Sequence, residues 1–143
     1  MSIRHEAREY ALQFLFQSDF NDEPFDQAWT DFWTKKKAGK KVKAFALELV
    51  EGVRETQPEL DDHLQACSQN WNLKRMSAVD RNVMRIAVYE MLYRDDIPPV
   101  VSLNEAVGLS KVYGTPDSGK FVNGLLDKIL KSLDRPARTA VEE

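Results

Sequence analysis

The chain has 143 residues, 43% apolar and 30% charged, enough to bury one core and too few for two. Six glycines and six prolines leave little punctuation for the turns of an all-β fold, and a net charge of −3 does not suit a protein that coats nucleic acid indiscriminately. The lone Cys67 cannot close an internal disulfide, the start MSIRHEAREY has no apolar signal core, and no run approaches the ~18 apolar residues of a membrane span. These features read as a soluble, cytoplasmic protein.

Helical periodicity recurs along almost the whole chain. A first helix is expected over about residues 4–19, with Ala7, Tyr10, Ala11, Phe14 and Leu15 on one face. Pro24 suits the first turn of a second helix carrying Phe25, Trp29, Phe32 and Trp33. Six lysines follow within positions 35–43, broken at Gly39. A third helix (about 41–56) shows the stripe Val42, Phe45, Ala46, Leu49, Val50, Val53, and Pro58 is expected to open a fourth, with Leu60, Leu64 and Cys67 facing in.

A capping box, Ser77-Ala-Val-Asp80, predicts the start of a fifth helix, and its body is apolar on nearly every side, which marks it as central. Pro98-Pro99 should stop the chain before a second capping box, Ser102-Leu-Asn-Glu105, starts a sixth helix that ends at Gly114, placed there as a C′ glycine. Asp117 is expected to cap the last helix, whose stripe is Val122, Leu125, Leu126, Ile129, Leu130 and Leu133. Residues 1–134 then form one all-α helical bundle of about seven helices, and 135–143 a flexible tail.

Catalytic and metal chemistry find no support. Gly114-Thr-Pro-Asp-Ser-Gly119-Lys120 mimics the start of a phosphate loop, but Phe121 replaces the magnesium-binding hydroxyl and the loop follows a helix rather than a strand. His63 and Cys67 supply two soft ligands where a structural zinc needs four. The carboxylates fall at helix starts and on polar faces, as capping and the macrodipole require. No enzyme, cofactor or metal is expected.

A binding surface is easier to find. On a helical wheel Phe121 lies about 100° from the core stripe, beside Gly124 and near Lys128. Two readings stand: an aromatic that stacks on an unpaired base, with Asp117 accepting from base amino groups, or a side chain that packs on the first helix while Gly124 permits close helix contact. In the first helix Arg4 and Arg8 project together with His5 alongside, either a solvated face or a basic contact, and Leu12 and Phe16 lie off the main stripe. The lysine run reads first as a mobile solvated loop and second as a patch that attracts phosphates.

The chain resembles the NusB family of bacterial transcription antitermination factors. The matching segments are Ala7-Arg8-Glu9 with Ala11-Leu12-Gln13, Leu49-Val50-Glu51-Gly52-Val53, Val79-Asp80-Arg81, Met84-Arg85-Ile86-Ala87 with Tyr89-Glu90, Asn104-Glu105-Ala106-Val107, and Lys111-Val-Tyr-Gly114 followed by Asp117-Ser-Gly-Lys-Phe-Val-Asn-Gly-Leu-Leu-Asp127. They fall in order over about residues 4–131. The resemblance implies an all-α fold of two packed helical subdomains. It implies binding of single-stranded boxA-type RNA jointly with ribosomal protein NusE, and assembly onto the RNA polymerase elongation complex during ribosomal RNA synthesis. It also leaves room for a homodimer. By the same resemblance the RNA contacts are Arg4, His5, Arg8, Asp117, Ser118, Lys120, Phe121 and Asn123, and the partner-protein interface includes Phe16 and Asp80.

One departure from the family pattern bears on affinity. The N-terminal arm of the family is often a cluster of arginines, whereas this chain offers Arg4 and Arg8 with Glu6 and Glu9 among them. Leaving two or three phosphates without a cation costs an order of magnitude or more in affinity by counterion release, so the ribosomal partner or the lysine run would have to compensate. Competing readings are a protein-only scaffold and a stand-alone relative of the RNA-docking domain of ribosomal RNA cytosine methyltransferases. Against the latter, no cofactor domain or Gly-rich nucleotide loop is present up to Glu143.

Overall fold

Six helices and one turn of 3-10 helix make up the regular structure among the described residues, 2–68 and 72–137, of the computed structural model. In chain order they are α1 (Ile3–Ser18), α2 (Phe25–Trp33), α3 (Lys40–Cys67), the 3-10 turn (Leu73–Arg75), α4 (Ala78–Tyr93), α5 (Pro99–Tyr113) and α6 (Ser118–Ser132). None of these helices is long and apolar enough to cross a membrane.

Some of the helix starts obey the local rules. Ser2 Oγ accepts from the His5 backbone N–H at 3.0 Å, and Ser77 Oγ accepts from Asp80 N–H at 3.1 Å, the cap expected for α4. Others do not. The stretch read as two helices is one, α3, with Pro58 inside it. Proline forfeits a backbone hydrogen bond and crowds the preceding turn, at about 3 kcal/mol. The buried stripe from Val42 to Val53 nevertheless continues at helical spacing as Leu60 and Leu64, both fully buried. Each such leucine contributes about 1.5–3 kcal/mol, enough together to carry the helix through an exposed proline. The helix count is therefore six rather than seven.

Ser102 is not a cap either. α5 starts three residues earlier, with Pro99 in the first turn where its missing N–H is no loss. Gly114 ends α5 in an extended conformation, φ −97° and ψ −159°, not in the left-handed region. A side chain there would collide with Ser118 Oγ and come within 2.7 Å of the Ser110 carbonyl, so the glycine serves a close approach.

α4 packs against α1, α3, α5 and α6, as its all-round apolar sequence predicts. α2 lies on the other half through an aromatic cluster: the Phe14 ring meets Phe25, Trp29 and Phe32 at 5.6, 5.0 and 5.4 Å, all edge-on. Near its end the chain docks over 135–137. Arg135 donates to the Met91 and Ile97 carbonyls at 2.9 Å each, and Ala137 O accepts from Val100 N–H at 2.8 Å. Residues 138–143 of the expected tail lie outside the described residues.

The helices are registered by a buried charge. Glu90 of α4 has no solvent exposure, and its carboxylate accepts from Arg8 Nε at 2.8 Å, Arg8 Nη2 at 2.9 Å and Ser102 Oγ at 2.7 Å. Arg8 Nη1 donates to Glu105 Oε1 at 3.2 Å. Arg8, expected on an RNA-facing flank, is thus only 3% exposed and structural. A carboxylate in the middle of a helix bundle must be paired, and the fork geometry of arginine pairs it from α1.

Truncating Arg8 strands that carboxylate. Arg8→Ala is expected to lower the unfolding free energy by about 3–5 kcal/mol in urea titrations, whereas Arg4→Ala, in an exposed pair, should cost under about 1 kcal/mol. Pro58→Ala is expected to raise stability by about 1–2 kcal/mol; a helix that began at Pro58 would instead be neutral or weakened.

Candidate nucleic-acid interface

The turn from Gly114 to Ser118 decides what the start of α6 can present. Ser118 Oγ accepts from the Thr115 N–H at 2.9 Å and lies 3.2 Å from Thr115 Oγ1, which folds the turn tightly under the helix. Ser118 is only 1% exposed, so this expected RNA contact is a turn-builder with its hydroxyl already engaged. Asp117 precedes α6 in a helical conformation with no side-chain cap bond, contrary to the expected cap, and leaves its carboxylate at the surface. Gly119 is buried because the Lys111 side chain lies across it, 3.0 Å from where a Cβ would sit.

Beside this turn opens a cavity of about 740 Å³. Asp117, Lys120, Phe121, Gly124 and Lys128 line it from the α6 side, and Arg75, Met76, Ser77 and Asp80 line it from the 3-10 turn and the start of α4. Phe121 is half-buried, packed against the core on one side and walling the cavity on the other. A flat apolar wall with three cations around it suits a stacked base and the phosphates on either side of it.

Asp80, expected at the partner-protein interface, sits in the first turn of α4. It is 9% exposed, lines the cavity opposite Phe121, and its Oδ1 has no hydrogen-bond partner among the described residues. A carboxylate that lines a cavity can take a donor from a ligand, such as a base amino group. Phe16, expected with Asp80 at a partner interface, does not line the cavity. It is exposed and rests on Phe20, ring centroids 5.1 Å apart, and Phe20 is itself 69% exposed. This aromatic pair ends α1, where Asp19 accepts from Asn82 at 2.8 Å. Leu12, expected off the core, is buried in it.

Arg4 and His5 stand apart from the cavity. Arg4 donates to Asp96 at 2.9 Å and lies 4.8 Å over the Phe45 ring. Hydrogen bonds from Arg94, then from Arg4, hold the Asp96 carboxyl down at about 2. His5 lies between Glu105, 2.7 Å from Nδ1, and Glu9, 3.5 Å from Nε2. Arg4 is tied to Asp96, just before α5, and His5 to Glu105, midway along it, while the cavity lies beyond its end; α5 itself is about 20 Å long at ~1.5 Å of rise per residue. Lys120 and Asn123 are exposed on α6, with Asn123 outside the cavity lining.

Sequence reasoning missed Arg75 and Met76. They precede the α4 cap in a single 3-10 turn, which is too short to leave a periodic signal. His63 and Cys67 are half-buried, and no group of three metal-ligating side chains occurs among the described residues.

The NusB family profile matches residues 5–131. A transcription antitermination protein NusB from Desulfosudis oleivorans is 47% identical over 136 residues, covering 93% of this chain and 88% of that one. NusB of T. maritima superposes with a TM-score of 0.83 at 39% identity, covering 94% and 92% of the two chains. A crystal structure of antitermination factors NusB and NusE in complex with double-stranded RNA superposes with a TM-score of 0.83 at 27% identity, covering 93% and 99%.

Gly124 separates two uses of glycine in α6. Among the described residues a Cβ built there meets nothing within 4 Å, so the residue does not serve a contact between the described helices. Gly124→Ala should therefore stabilise the fold by about 0.5–1 kcal/mol, read as a rise in thermal midpoint, while Gly52→Ala, which drives a Cβ into the Tyr89 ring, should lower it.

Proposed function

The chain belongs to the NusB family, and on that premise we propose that it is a transcription antitermination factor that binds single-stranded boxA-type RNA jointly with ribosomal protein NusE. In this reading the complex joins the elongating RNA polymerase during ribosomal RNA synthesis. The observation that carries the RNA part is the cavity at the start of α6, where one aromatic wall, two carboxylate residues and three cations converge. Phe121 stacks on an unpaired base, Asp80 or Asp117 accepts from base amino groups, and Lys120, Lys128 and Arg75 neutralise phosphates. None of these roles requires a catalytic group.

The protein surface for NusE is assigned to the end of α1, where Phe16 and Phe20 expose paired rings of the kind that anchor interfaces. A protein-only scaffold is the second reading, because Arg8 is withdrawn into the core and Arg4 and His5 are engaged with carboxylates. An RNA strand at the N-terminal arm has to compete with Asp96 for Arg4.

Fluorescence anisotropy with a boxA-like RNA, with and without NusE and across a salt series, distinguishes the two. Salt-dependent binding is the expected result; no binding in either condition would end the RNA reading in favour of the scaffold. Phe121→Leu keeps apolar bulk against the core but removes the π-face. It is expected to weaken RNA binding about tenfold, from the ~1–3 kcal/mol of a base–aromatic stack, and to shift the thermal midpoint by no more than a few degrees.

A further inference from the structure

We propose that the lysine-rich corner joining α2 to α3 is a second nucleic-acid surface, which holds the sugar–phosphate backbone of the same RNA strand beyond the bases taken at α6. The inference rests on the RNA-binding reading above and adds a site to it.

Charge is segregated in this chain. It carries 20 Lys and Arg against 23 Asp and Glu, yet positions 35–43 hold six lysines and no acid, leaving 14 basic residues against 23 acidic elsewhere. Most arginines of the folded body, among them Arg4, Arg8, Arg85 and Arg94, sit in ion pairs with carboxylates. None of the six corner lysines makes an ion pair among the described residues. A concentrated, unneutralised positive patch on an acidic body attracts polyanions to one place and repels them from the rest.

The corner is also better ordered than a solvated loop. Lys36 Nζ donates to the Phe32 carbonyl at 3.1 Å and lies 3.8 Å over the Phe32 ring, and Lys43 Nζ lies 5.6 Å over the Trp33 ring. These two pin the segment to the α2 aromatic cluster, and Lys35, Lys37, Lys40 and Lys41 are left exposed. Lys41 stands one helical turn before Phe45, whose ring carries Arg4 at 4.8 Å and Arg94 at 5.1 Å. The patch therefore runs into the N-terminal arm, at the opposite end of α5 from the cavity.

That position sets the length of the ligand. A strand that reaches both places has to run the ~20 Å length of α5, which takes several nucleotides. The corner offers no exposed large apolar side chain, since Val42 is buried and Ala38 half-buried. Protein interfaces deplete lysine and favour aromatic anchors, so this surface fits a phosphate backbone rather than a protein partner.

The test uses the full chain with NusE and two boxA-like RNAs, of about five and about fifteen nucleotides. The quadruple variant Lys35→Ser, Lys37→Ser, Lys40→Ser, Lys41→Ser is expected to bind the longer RNA about tenfold more weakly, with a log–log salt slope shallower by ~0.7 for each phosphate no longer neutralised. Affinity for the shorter RNA should stay within about twofold, and the corresponding arginine variants should restore the slope. An unchanged slope on the longer RNA would overturn the inference, as would weakened NusE affinity with RNA binding intact, which would make the patch a protein-docking surface. If the wild type binds and Phe121→Leu weakens both RNAs while the lysine variant changes nothing, only this inference falls. If the wild type binds neither RNA, the reading beneath it falls as well.

Discussion

A carboxylate without solvent exposure sits in the middle of the helix on which α1, α3, α5 and α6 all pack. Taking Glu90 out of water costs several kcal/mol, and only paired, well-aligned donors offset that cost. Arg8 from α1 and Ser102 from α5 supply three such bonds, and Arg8 reaches on to Glu105. The network allows little slippage, because moving α1 or α5 by one residue along α4 would leave a buried charge unmatched. Apolar packing alone tolerates many registers of similar energy; a fork of fixed geometry selects one. The α4 helix thus supplies more than the apolar centre of the bundle, since the fully buried Glu90 decides how α1 and α5 lie on it.

The interface inherits that registration. α5 is held by Ser102 and Glu105, and its far end delivers Gly114 to a turn closed by Ser118 and Thr115. The turn aims α6 so that Phe121 and Lys120 border a cavity whose other wall is the start of α4. Ser77 caps that start through the Asp80 backbone N–H, which puts Asp80 in the first turn of α4 on the cavity wall. A segment rich in ligand-like residues is thereby divided in two. Ser118 and Gly119 build the scaffold, and Asp117, Lys120 and Phe121 present the surface.

The same network explains where the charge for a nucleic acid has to come from. Arg8 is committed to the core and Arg4 is shared with Asp96, so the N-terminal arm is poorer in available charge than its sequence implies. The cations free to meet phosphates lie elsewhere: Lys120 and Lys128 on α6, Arg75 before α4, and the corner lysines that the Phe32 and Trp33 rings help to hold in place. Surface charge that makes no internal pair costs the fold nothing to redirect toward a ligand.

The local features of this protein were legible in its sequence. Periodicity revealed α1, α2, α4 and α6, the Ser77 cap marked where α4 begins, and the apolar girth of α4 marked it as central. Those signals come from residues three or four apart, so a linear string contains them. What the tertiary structure decided lies at long sequence separation. Arg8 finds Glu90 across 82 residues and Glu105 across 97, and at such distances a chain pattern cannot distinguish a core arginine from a solvated one. Ser102 looked like a cap because a serine followed by glutamate three residues on is a local rule, but a buried carboxylate on another helix claimed its hydroxyl. Pro58 looked like a start because a proline breaks an isolated helix, but a buried stripe that continues past it kept α3 whole. Asp80 and Phe121, 41 residues apart in the chain, came to line one cavity only when two helix starts were packed side by side.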